Sequence, residues 1–273
     1  MLLALTSLSS AAAWSQSLDA TTAAAIDAAL AGPHRSDKNK ARDQYRHPKQ
    51  TLAFFGLRSD MTVVEIWPAG GWYTEILAPV LKAKGKLYAA QSGPSGFQYQ
   101  RNDDAVLLDK KQKYPDVFGA LQFTTLWSPG ELVIAPPGTA DMVVTFRNVH
   151  NWVNPEYKQD AARIFGAFFA ALKPGGILGV EDHRWPNPKT EDPNAAEGYV
   201  SEDRVIALAK AAGFELVGRS DINRNPKDNH AHPNGVWSLL PDLSLKEGED
   251  RETYVEIGES DRMTLKFRKP AGK

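Results

Sequence analysis

The chain has 273 residues, of which 42% are hydrophobic and 24% charged, a balance that excludes a disordered chain and a multi-span membrane protein. Lys plus Arg totals 32 against 33 for Asp plus Glu, so the formal charge of -1 offers no basic surface for a polyanion, and nucleic acid is not an expected partner. Cysteine is absent, which excludes disulfides, thiolate metal sites and cysteine nucleophiles and leaves chemistry to His, carboxylates, hydroxyls or a cofactor.

The chain opens with MLLALTSLSSAAAWSQSL, uncharged and ending in small residues, with Ala11 and Ala13 in an A-x-A arrangement. Residues 1–17 therefore read as a signal peptide, which implies export, to the periplasm if the source is bacterial. A basic n-region is missing, so an ordinary N-terminal helix of a cytoplasmic protein is the alternative. Thr6, Ser7, Ser9 and Ser10 interrupt the apolar run, so no permanent membrane span is expected. Residues 18–58 form a helical extension: an Ala-rich helix over 18–31 stopped by Gly32-Pro33, a charged stretch over 34–49, then an apolar cluster of Leu52, Phe54, Phe55 and Leu57.

From residue 59 to 273 the rhythm is that of one α/β domain. MTVVEI (61–66) is β-branched, apolar and bounded by turn residues, and reads as a buried strand. A helix over 72–82 follows, then a strand over 87–90, a charged helix face over 109–113, a third strand over 121–126 and a fourth in MVVTF (142–146). Ala161, Ile164, Phe165, Phe168, Phe169 and Leu172 recur at helical spacing, and Pro174-Gly175-Gly176 ends that helix before the strand ILGVED (177–182). Ser201 caps a further helix that Gly213 terminates, ahead of a sixth strand over 214–218. Residues 221–260 are polar and rich in Asn and Pro, an irregular insertion, and MTLKFR (263–268) restores strand alternation. The expectation is a doubly wound, mostly parallel Rossmann-like sheet of seven strands, the last antiparallel, with helices on both faces.

In such a sheet ligands bind beyond the carboxyl ends of the strands. The loop VVEIWPAGGWYT (63–74), with ADMVVTFRNVHNW (140–152), LKPGGILGVED (172–182) and GYVSEDRVIALAKAAGFELVGRSD (198–221) in that order, resembles the class I S-adenosylmethionine-dependent methyltransferases. EIWPAGGWYTEILAP and RDQYRHPKQTLAFFGL are most similar to a group of methyltransferases, often exported, whose reaction is undefined. The resemblance implies S-adenosylmethionine as cofactor, a small-molecule acceptor, and a donor site of Glu65, Trp67, Ala69, Gly70, Gly71, Tyr73, Thr74, Gln91 and Asn148. Glu65 matches the acid ending the first strand, Gly71 the last glycine and Thr74 the later hydroxyl. Trp67 and Ala69 stand where the family has glycines, and Gln91 stands where an acid receives the ribose hydroxyls. Either the turn is rebuilt around Trp67, Trp72 and Tyr73, or the fold persists as a non-catalytic or re-purposed binding domain without the donor.

Methyl transfer is an in-line displacement, in which the protein supplies alignment and, where the acceptor loses a proton, a base. His150 and His183 are the candidate bases, with Asp182 to orient an imidazole. Arg147 and Arg184 suit an anionic substrate, and Arg42, Tyr45, Arg46 and His47 form a basic aromatic cluster expected to fold over the site as a lid. A competing class is a metal-dependent enzyme, because Asp228, His230 and His232 alternate in PKDNHAHP and share one side of an extended segment.

Overall fold

A computed structural model describes residues 18–272. The expected signal segment, with Ala11 and Ala13, lies outside the described residues. The extension is helical, as four pieces: α1 (Ala20–Ala31), α2 (Asp37–Lys40), α3 (Asp43–Arg46) and α4 (Pro48–Phe55). Asp19 caps α1 by accepting from the Thr22 amide, and Ser36 caps α2 through Asn39. His47, left-handed at φ 41°, turns the chain between α3 and α4, where Pro48 supplies a first helical residue that needs no amide donor. The stretch read as merely charged therefore contributes two short helices.

The domain continues as β1 (Thr62–Ile66), α5 (Thr74–Leu81), β2 (Lys86–Gln91), α6 (Gln98–Lys113), α7 (Pro115–Phe118), β3 (Gln122–Thr125), β4 (Ala140–Phe146), α8 (Val149–Val153) and α9 (Ala161–Ala171). It closes with β5 (Leu172–Trp185), β6 (Val200–Ser201), α10 (Glu202–Ala211), β7 (Glu215–Ser220), α11 (Arg251–Ile257) and β8 (Arg262–Arg268). The sheet order is β3-β2-β1-β4-β5-β8-β7, with β6 on the overhang of β5. Among the described strands only β8 opposes its neighbours, antiparallel to both β5 and β7, as expected of the last strand.

The path of seven strands is the one expected, and among the described residues a two-residue strand, β6, is added off it because β5 runs on past Asp182 and its Arg184 and Trp185 pair with Val200 and Ser201. The α9 helix stops at Ala171 rather than at the Pro-Gly-Gly, since Leu172 already pairs with Ala140 of β4. The insertion over 221–260 is largely irregular but carries α11 and a 3-10 turn, Gly235–Ser238.

Adjacent strand residues point to opposite faces, and both faces of this sheet are buried. Val63 joins Ile26, Leu52, Phe55, Ile76 and Leu77 beneath α1, α4 and α5. Val64 joins Trp152, Phe165, Phe168 and Val205 beneath α8, α9 and α10. Each such side chain, fully buried, contributes about 1.5 to 3 kcal/mol. Among the described residues no helix is long and apolar enough to cross a membrane.

Candidate active site at the carboxyl ends of the strands

A cleft of about 730 Å³ opens beyond the carboxyl ends of β1 and β4, within the size range of small-molecule sites. Its lining comes from the turn from Glu65 to Tyr73, Asn39, Arg42 and Arg46 of the extension, the segment after β4, His183 of β5 and one face of α6. Tyr99, Asp103, Val106 and Lys110 form that face, at spacings of four, three and four residues that place them on one side of a helix. The insertion closes the rim with Trp237, Pro241 and Asp242.

The turn after β1 keeps the backbone course that glycines permit while carrying larger residues. Trp67 has φ 43°, Ala69 φ 49° and Gly71 φ 83°. Left-handed backbone is unfavourable for a tryptophan, so surrounding contacts must hold it. The Trp67 indole donates to the Leu126 carbonyl at 2.9 Å, stacks on Trp127 with centroids 5.9 Å apart, and meets Trp152 edge-on at 5.8 Å. Asn148 braces the same turn, donating to the Ile66 carbonyl at 2.9 Å and to the Thr145 hydroxyl at 3.2 Å. A Cβ on Gly71 would stand 2.7 Å from Leu107, so the last glycine lets α6 close on the turn. Lys110 of α6 then donates to the Gly70 carbonyl at 2.5 Å and pairs with Glu75 at 2.7 Å.

Glu65 is buried and accepts from the Thr74 hydroxyl at 2.6 Å. Burial pushes its carboxyl up to about 7, against the lowering effect of that hydrogen bond. Thr74 thus serves Glu65 and does not itself line the cleft. Tyr73 does, its ring stacked 3.5 Å from Phe146.

After β4 and β5 the structure joins two residues that lie 32 apart in sequence. Asp182 is fully buried and receives the His150 amide at 3.0 Å, the His183 amide at 2.8 Å and His150 Nδ1 at 2.9 Å. The carboxylate fixes the tautomer, so His150 carries its proton on Nδ1 and keeps Nε2 as the acceptor nitrogen of a side chain that lines the cleft. His183 departs from its expected role as a base. Its Nδ1 is bonded to Ser260 and its Nε2 receives Arg147 Nε at 3.4 Å. Burial first, and then the Arg147 charge, hold its pKa well below the usual histidine value, so it stays neutral and orients Arg147.

Other expected site residues lie elsewhere. Gln91 donates to the Asp104 carbonyl at 3.2 Å and lines a separate pocket of about 270 Å³ on the opposite side of α6. Arg184 pairs with Asp261 at 2.9 Å and lines another cleft with Trp185 and Glu202, away from the cleft beyond β1 and β4. Of the expected lid, Arg42 and Arg46 reach the cleft, while Tyr45 packs on Gly258 and His47 faces Asn223 at 3.4 Å. Asp228 accepts from Tyr199, His232 and the amides of His230 and Asp261, so its oxygens are spent on structural hydrogen bonds. His230 turns instead toward Asp261 at 3.5 Å. Among the described residues the one group of three or more His and acid side chains with ligand atoms within 4.8 Å of one another is His150, Asp182 and His183.

No protein-family model matches the chain, and no curated protein matches it in sequence. Solved structures do match it in fold. The [4+2]-cyclase SpnF aligns at a TM-score of 0.59 and 13% identity, covering 92% of this chain and 94% of that one. A putative sarcosine dimethylglycine methyltransferase from Galdieria sulphuraria aligns at 0.56 and 14%, covering 86% and 88%. Geranyl diphosphate methyltransferase, solved with S-adenosylmethionine, aligns at 0.56 and 13%, covering 89% and 94%. The chain has the fold of the class I S-adenosylmethionine-dependent methyltransferases. A cyclase among these neighbours illustrates that such a fold leaves the reaction to the site.

Proposed function

We propose that this chain is an S-adenosylmethionine-dependent methyltransferase acting on a small acceptor whose O–H or N–H proton passes to His150. The observation that carries the reading is the His150 and Asp182 pair at 2.9 Å, set in the cleft beside the strained turn after β1. The turn fits the donor in kind. Left-handed backbone at Trp67 and Ala69 exposes main chain to the cleft, and the space above Gly70 is free to 3.6 Å, where Val106 begins.

Glu65, Ala69, Gly70, Tyr73 and Asn148 would hold the donor at this turn. With Gln91 behind α6, Asp103 is the carboxylate on the cleft side that would receive the ribose hydroxyls. When bound, S-adenosylmethionine supplies a sulfonium methyl that an attacking lone pair takes while the S–C electrons stay on sulfur. His150 Nε2 removes the acceptor's proton, and Asp182 stabilises the imidazolium that results. Tyr73, Tyr99, Trp237 and Tyr157 give the cleft an aromatic wall.

A second reading, a Rossmann-like domain that has lost the donor, is favoured by the position of Gln91 and by the indole that replaces the first glycine. Calorimetric titration with S-adenosylmethionine and S-adenosylhomocysteine separates the two. Micromolar binding, about -8 kcal/mol, weakened roughly tenfold in Asp103→Asn, supports the transferase, and no binding at millimolar ligand supports the second reading.

A further inference from the structure

Four arginines converge on one wall of the cleft and its floor, and two glutamates oppose them. Glu259 receives Arg42 Nε at 2.8 Å, Arg46 Nε at 2.8 Å and Arg262 Nη1 at 2.6 Å. Glu181, beneath, pairs with Arg262 Nε at 3.0 Å. Arg147 remains. Its nearest carboxylate is that of Asp242 at 4.0 Å, 45% exposed on the rim, and its Nε rests on the neutral His183. Arg46, whose side chain is 5% exposed, has a buried Nη2 with no acceptor among the described residues.

Such an arrangement is costly unless something else completes it: Trp72 faces the Arg46 guanidinium at 4.7 Å, but a ring face gives a buried N–H back only part of its lost hydration. The alternative fillers are few. The other acids that line the cleft, Glu65 and Asp103, belong to the turn and to α6. Glu259 is already shared by three guanidinium groups. Arg147 is also held at φ 62°, a left-handed conformation, with its amide on the Glu181 carbonyl at 2.8 Å. Strain of this kind persists where surrounding structure imposes it, and here it directs the side chain to the cleft.

We infer that Arg46 and Arg147 form an anion subsite, and that the methyl acceptor carries a carboxylate or similar oxyanion bound there while its proton-bearing group faces His150. The inference rests on the transferase reading for the word acceptor. The placement follows from contact: Arg147 touches His183, whose ring centroid is 5.1 Å from that of His150, so a group on Arg147 lies beside the base. Arg147 binds as a planar fork, which suits oxygen anions better than a point charge would. Arg42 adds charge to the same wall, bringing a second guanidinium of α3 and its flank to the cleft.

The test uses inorganic phosphate and 4-hydroxybenzoate as probes, with 4-hydroxybenzamide as the neutral control, titrated calorimetrically into the full chain with and without saturating S-adenosylhomocysteine. Binding of either anion at about 10 mM or below, with the amide at least about tenfold weaker and Arg147→Gln losing about tenfold or more, is the expected result. Arg147→Lys, which keeps the charge, recovers part of that loss and guards against a folding defect, checked by an unchanged melting curve. Saturation with S-adenosylhomocysteine should leave anion affinity within about threefold. The inference is overturned if neither anion binds at about 20 mM, or if Arg147→Gln leaves their affinity unchanged. It is overturned equally if S-adenosylhomocysteine expels the anions while 5′-methylthioadenosine, which lacks the amino-acid carboxylate, does not, since the subsite then belongs to the donor. Arg147-dependent anion binding by a protein that ignores S-adenosylhomocysteine upholds the subsite and removes the transferase reading, so the two fail separately.

Discussion

At the residue scale the site depends on what each titratable group is bonded to. His150 has the Asp182 carboxylate on Nδ1, and His183 has donors and acceptors on both nitrogens. Nitrogen-15 NMR should therefore show Nδ1-protonated rings for both, and Asp182→Asn should disturb His150 while slowing transfer by about 10² to 10⁴-fold once an acceptor is known. An unaltered His150 spectrum in that variant would contradict the assignment. Glu65 supplies a second test. Its folded pKa of about 7 lies above the ordinary carboxylate value, so the native state holds a proton that the unfolded chain has released. Between about pH 4.5 and 7 this group lowers stability as pH rises, by about 3 kcal/mol in all, and the slope ends above the folded pKa. Urea unfolding at pH 5 and pH 8 should show a smaller loss on alkalinisation in Glu65→Gln than in the wild type.

At the element scale the turn after β1 and helix α6 decide the shape of the cleft. Trp67 combines a strained backbone with an indole buried among Trp127 and Trp152. Replacing it with glycine relieves about 1 kcal/mol of strain and removes packing worth about 3 to 5 kcal/mol. Trp67→Gly should thus destabilise by about 2 to 4 kcal/mol, read from denaturant midpoints at unchanged slope. The two parts of this region were unequally legible. Glu65 and Gly71 stand where the motif predicts them, because a strand end and a tight turn are local features. The resemblance gives Gln91 to the donor as the residue that ends β2, but α6 begins well before the charged run at 109–113 and stands between Gln91 and the cleft. The spacing of Tyr99, Asp103, Val106 and Lys110 was the available signal for that face, weak because the segment has little hydrophobic contrast.

At the scale of the whole molecule a buried charge network ties the N-terminal extension to the end of the chain. Glu259 joins Arg42 and Arg46 to Arg262, residues more than 200 apart in sequence. Burial alone would raise the Glu259 carboxyl, but Arg46, Arg262 and Arg42 override it and hold it well below the ordinary range. Its contribution is present above the unfolded carboxylate value and is lost as pH falls below about 4.5, the opposite sense to Glu65. Arg262→Met leaves Glu181 and Glu259 short of a partner, and should cost about 3 to 5 kcal/mol in equilibrium unfolding at pH 7. An effect under about 1 kcal/mol would mean the network is solvated rather than buried.

Strand and helix periodicity, turn residues and the order of the segments determined the doubly wound sheet, its antiparallel β8 and the neighbourhood of the site, because these depend on local patterns of burial and on strand ends that must meet at one edge. Tertiary structure decided which residues of that neighbourhood share a cleft. Past Asp182, β5 runs on to Trp185, and what holds that overhang, Val200 and Ser201 of β6 and the Asp261 partner of Arg184, is distant in sequence. The same holds for Arg42, Arg46 and Arg147, whose common wall exists only because Glu259, from the far end of the chain, gathers two of them while leaving the third without a buried partner. Charge compensation between distant segments is a property of the folded arrangement, and no local pattern encodes it.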